Sequence, residues 1–79
     1  MTIKYYPSVD QLHISIGVVS GAFQEGRDTT DDDVTLHVDA EERIVAIEIA
    51  HASRRVNLDA IRYHYEFEEV RDEAPAETP

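Results

Sequence analysis

Between Val34 and Ile49 the chain alternates apolar and polar residues, breaks at Asp39 to Arg43, and then alternates again. Val34, Leu36 and Val38 fall on one side of an extended first arm, with Thr35, His37 and Asp39 on the other. Val45, Ile47 and Ile49 carry the same period of two through the second arm. Successive side chains of a strand point to opposite faces, so the pattern specifies a β-hairpin with one apolar side. Two paired apolar rows make a surface that further strands or a second copy of the chain must cover. The break, with Ala40 to Glu42 at its tip, lacks the Asn-Gly or Asp-Gly pair of a two-residue turn, so a longer loop is expected there.

The flanking segments supply candidate strands. Ile3 and Tyr5 alternate with Thr2 and Lys4 until Pro7, which has no N–H for a ladder and turns the chain through Asp10. In the next arm Leu12, Ile14, Ile16 and Val18 share one face, and His13, Ser15 and Gly17 the other. From Ser20 to Asp33 the period is lost. That stretch is expected to be a loop or irregular edge, with an acidic cluster at Asp28, Asp31, Asp32 and Asp33 and Phe23 as its apolar anchor. After Ile49 a polar connection leads to Asn57, a residue suited to capping a helical turn from Leu58 to Arg62. Ile61, Tyr63, Tyr65 and Phe67 alternate with Arg62, His64 and Glu66, which predicts a final strand. A helix over Leu58 to Phe67 is the alternative, since periodicity does not arbitrate such short runs. The expectation is a mainly β domain over residues 1–70, a mostly antiparallel sheet of four to five strands with at most one short helix. An acidic disordered tail is expected over 71–79.

Size and charge limit what such a domain can do. A chain of 79 residues without cysteine buries a small core and has no disulfide to support it. A homodimer is the expected remedy, C2 pairs being the commonest oligomers. Seventeen acidic residues stand against seven basic ones, a net charge of -10. Such a surface repels phosphate backbones, so direct nucleic-acid binding is not expected, whereas a basic protein partner is compatible with it. No export signal and no apolar run of transmembrane length is seen, so no membrane partner is expected and a cytoplasmic location is.

Two stretches carry a resemblance. Tyr5-Tyr6-Pro7-Ser8-Val9-Asp10-Gln11-Leu12-His13-Ile14 is one. Val38-Asp39 through Arg43-Ile44-Val45-Ala46-Ile47-Glu48-Ile49, followed by Ala52-Ser53-Arg54-Arg55, is the other. Together they resemble the small bacterial and archaeal family labelled domain of unknown function 2283, over about Met1 to Val56. The family favours Asp where Tyr6 stands, Tyr at His13, and Gly at Glu42 and Ala46. Losing Gly at Glu42 matters most, because Gly adopts positive φ without a steric cost. The resemblance implies a compact β-rich fold, often encoded near toxin-antitoxin-like genes, and brings no catalytic residues, so none is carried over.

Candidate chemistry is sparse. His13, His37 and His64 share strand parity, and neutral imidazoles on adjacent strands can ligate zinc, copper or nickel. Their separations match no local metal spacing, so these three stand only as candidates, with no metal or other cofactor assigned. The acidic cluster fails as an EF-hand: counted from Asp28, the Gly and Glu places hold Asp33 and Asp39, and counted from Asp31 they hold Leu36 and Glu42. No serine sits in a Gly-x-Ser-x-Gly elbow, and no catalytic residue is assigned. Asp10 is expected to close the turn after Pro7 through its own backbone, and Glu48 to form a structural ion pair with Arg54 or Arg55. Tyr63, Tyr65 and Phe67 form the candidate interface, aromatics being favoured there. The expected function is therefore a small acidic interaction module, non-enzymatic, self-associating, and regulatory or antitoxin-like towards another protein. The alternative is a metal-binding or small hydrolytic protein using His13, His37 and His64.

Overall fold

The computed structural model describes residues 1–17 and 24–71. In chain order it contains β1 (Thr2–Tyr6), β2 (Gln11–Ser15), β3 (Glu25–Asp28), β4 (Val34–Val38), β5 (Ile44–Ala50), α1 (Ala52–Arg55), α2 (Leu58–His64) and β6 (Glu68–Glu69). The strands form one sheet in the order β3-β4-β5-β2-β1-β6. Every pairing is antiparallel except β1 with β6, which is parallel. Val18, Ser20, Gly21 and Phe23, and the tail from Asp72 to Pro79, lie outside the described residues.

The expected hairpin is β4 with β5, in which Val34 faces Ile49 and Leu36 faces Ile47. Beyond His37 the register shifts, so Val38 stands opposite Ile44, and both Val38 and Val45 are buried. Its connection is a longer loop, as expected, and Asp39 organises it. One carboxylate oxygen accepts from the amides of Glu41 and Arg43, each at 2.9 Å, and the other from Arg43 Nε at 3.0 Å. Glu42 carries the positive φ of 66° that a glycine would accept at no cost.

Three expectations are corrected. Among the described residues the sheet has six strands rather than four or five, because β3 (EGRD) is an edge strand whose period is invisible: neither of its faces is apolar. β6 is only two residues long and lies beside β1 with Lys4 level with Glu68. The described residues contain two helices, and the strand expected over Ile61 to Phe67 is not formed. Asn57 caps α2 by accepting from the Ala60 amide, and Leu58 and Ile61, three apart on one helical face, pack onto the core. Tyr63 and His64 project away, so the apparent alternation came from a helix and its exit read together.

The core occupies the face of the sheet under the helices. Ile3, Tyr5, Leu12 and Ala52 are its buried centre, flanked by Ile14, Ile49, Val56, Leu58, Ile61 and Phe67. Leu12 is the largest fully buried side chain among the described residues, and Ala52 is fully buried beside it. No described helix is long and apolar enough to cross a membrane.

Candidate functional site

The opposite face of the sheet is polar, and strand order decides what meets there. β5 lies between β2 and β4, with Glu48 facing His13 in register on one side and standing diagonal to His37 on the other. Glu48 Oε2 is 3.6 Å from His13 Nδ1 and 3.5 Å from His37 Nε2. His13 is held from two further sides: Gln11 Oε1 lies 3.2 Å from its Nε2, and its ring sits 4.8 Å from that of Tyr6. Two of the three candidate histidines are thus brought to one carboxylate. His64 is not, because it is carried on α2 beyond the core face, its ring 5.0 Å from Tyr63 and 6.4 Å from Tyr65. Among the described residues no group of three or more His, Asp or Glu side chains is placed to hold a metal ion.

The ion pair expected between Glu48 and Arg54 or Arg55 is corrected by the same geometry. Glu48 points to the polar face, while Arg55 binds Asp31 and Asp33 in the β3–β4 connection, with Nη1 2.6 Å from Asp33 Oδ2. Arg54 is exposed and makes no ion pair with the described residues. His51 Nδ1 joins the cluster at 3.0 Å from Asp33 Oδ1. Hydrogen bonding from Arg55 brings the Asp31 carboxyl down to about 2, and bonds from His51 and then Arg55 lower that of Asp33. Part of the acidic cluster is therefore an anchor for α1. No sequence signal marks it, since the partners lie far apart along the chain.

Asp10 also departs from expectation. Its carboxylate does not close its own turn but accepts from Tyr5 Oη at 2.6 Å, the Ser53 amide at 3.0 Å and Ser53 Oγ at 2.8 Å. Its carbonyl accepts from the Ala52 amide at 2.9 Å. α1 begins after His51, which is left-handed at φ 54° and offers no side-chain cap, so Asp10 supplies the cap from across the fold. The phenol of Tyr5, bonded to Asp10 and buried, is pushed up to about 12. The same bond, with help from Ser53, lowers the Asp10 carboxyl.

The aromatic row divides. Phe67 turns inward, stacked on Tyr5 at 6.2 Å with Arg62 above its ring at 4.8 Å. Tyr63 is 84% exposed and Tyr65 55%.

A family model described as protein of unknown function (DUF2283) matches residues 2–53. No curated protein and no solved structure matches the chain. The matched stretch ends at Ser53, and the two motifs that carry the resemblance meet in the Asp10–Ser53 contact. What they have in common is a structural latch.

Proposed function

We propose, from the premise that this chain belongs to the DUF2283 family, that it is a small acidic interaction module without enzymatic activity. It self-associates as a homodimer in the cytoplasm and acts as a regulatory or antitoxin-like partner of a basic protein. The observation that carries this is the exposure of Tyr63 and Tyr65 on a domain in which Leu12 is the largest fully buried side chain among the described residues. Exposed aromatics on a thin core are surfaces whose covering stabilises the fold, and aromatic rings are enriched where proteins meet. The net charge of -10 favours encounter with a positively charged partner over a nucleic acid. The metal-binding or hydrolytic alternative is weakened because His64 stands apart from His13 and His37.

Sedimentation velocity at tens of micromolar tests the reading. The parent is expected to sediment as a dimer, and the doubly substituted Tyr63→Ser, Tyr65→Ser chain as a folded monomer. A monomeric parent overturns the proposal.

A further inference from the structure

Arg27, Arg43, Arg55, Arg62 and Arg71 are each held by at least one carboxylate. Lys4, the only lysine, is not: half-buried on the polar face, it has no ion pair or hydrogen bond through its side chain among the described residues. An ammonium with no carboxylate partner among the described residues is unexpected in a chain with seventeen acidic residues.

Its surroundings are donors. Across β1 and β2, Thr2 faces Ser15, Lys4 faces His13 and Tyr6 faces Gln11, three rungs on one face. The hydroxyls of Thr2, Tyr6 and Ser15 are also unbonded by other described residues, and with Lys4 they line a shallow groove of about 520 Å³. At its end the groove becomes apolar, between Met1, 69% exposed, and Ile16, 47% exposed. A Cβ at Gly17, on the same side, would meet no atom of the described residues within 4 Å. Two acidic side chains are near in register. Glu48 is engaged by both imidazoles, and Glu68, level with Lys4 on β6, is exposed and makes no ion pair with it.

We propose that this groove binds a small organic anion, with a carboxylate or phosphate head on Lys4 and the three hydroxyls and a short apolar part against Met1 and Ile16. The ammonium supplies the charge-assisted bond and the hydroxyls supply orientation. Because the rest of the surface is acidic, a compact ligand suits the groove better than a polyanion, whose remaining charges would be repelled.

The test is an amide chemical-shift titration of the full chain with butyrate and, separately, with inorganic phosphate. Saturable shifts confined to residues 2–6 and 13–17 are expected with at least one anion, and the tighter of the two identifies the head group. Lys4→Gln is expected to weaken binding about tenfold. Tyr6→Phe, which keeps the ring on His13, weakens it by less, and provides the answer if Lys4→Gln does not fold. Arg54→Gln removes an exposed cation that has no ion pair among the described residues and lies outside the groove, and it leaves binding unchanged. The proposal is overturned by the absence of saturable shifts with either anion, by binding insensitive to both Lys4→Gln and Tyr6→Phe, or by equal losses in Lys4→Gln and Arg54→Gln.

Discussion

Replacing Asp10 with alanine deletes in one step the acceptor shared by Tyr5 Oη, the Ser53 amide and Ser53 Oγ. Tyr5 is only 8% exposed, so its phenol keeps little access to water and loses about 1–3 kcal/mol when left unpaired. The Ser53 groups are at the surface and return to solvent, so each bond counts at the low end of about 0.5–1.5 kcal/mol. The sum is about 3 kcal/mol, a large fraction of what a domain this small has. With a urea dependence of about 1 kcal/mol per molar, the unfolding midpoint followed by circular dichroism at neutral pH falls by about 3 M. A double-mutant cycle with Tyr5→Phe isolates the central bond, and a coupling of about 1–2 kcal/mol is expected. pH supplies a second check. The Tyr5 and Ser53 bonds lower the Asp10 carboxyl from its ordinary 3.8, so the part of their stabilisation that depends on its charge is present above that value and is lost as pH falls through the lower folded one. Parent and Asp10→Ala stabilities therefore draw closer in acid. A midpoint unchanged by Asp10→Ala, or a cycle with no coupling, refutes the latch.

At the other end of the scale, Tyr5 titrates late by ultraviolet absorbance: its neutral phenol stabilises the fold below pH 10, and that contribution is lost as pH rises through about 12. Glu42→Gly relieves the positive φ at the β4–β5 loop, worth about 1 kcal/mol before the entropy cost of glycine, and is expected to raise the melting temperature slightly. Arg55→Gln releases the β3–β4 connection from α1, so hydrogen exchange quickens at the amides of Asp33 and Val34 while the far-ultraviolet spectrum is unchanged. Leu12→Ala leaves a cavity at the largest fully buried side chain of the described residues and costs about 3 kcal/mol in urea unfolding.

Where local period and tertiary position agree, the fold is legible in the chain. The β4–β5 hairpin, the faces of β1 and β2 and the Asn57 cap are of this kind. β3 escapes notice because an edge strand with two wet faces has no apolar alternation, its pairing being purely backbone. α2 is misread because Ile61 and Phe67 both reach the core, one from a helix and one from the return to β6, and the tyrosines between them look inward only if all four are extended. Glu48 stands out in an otherwise apolar run, but its partners depend on β5 lying between β2 and β4, an order no local pattern encodes. Asp10 is recognisable as a turn residue, whereas its bond to Ser53 emerges only when the two ends of the family-like stretch are folded together.

The strand order has a kinetic corollary. β1 with β2, and β3 with β4 and β5, are each neighbours in sequence, so each set can zip up within its own short span of chain. Apart from the two-residue pairing of β6 with β1, the line between β2 and β5, where Leu12 meets Ile49 and Ile14 meets Ile47, is what joins segments far apart in sequence. Docking these two preformed halves is the step that has to wait for a long loop to close, and thermal or mechanical rupture should begin along that line.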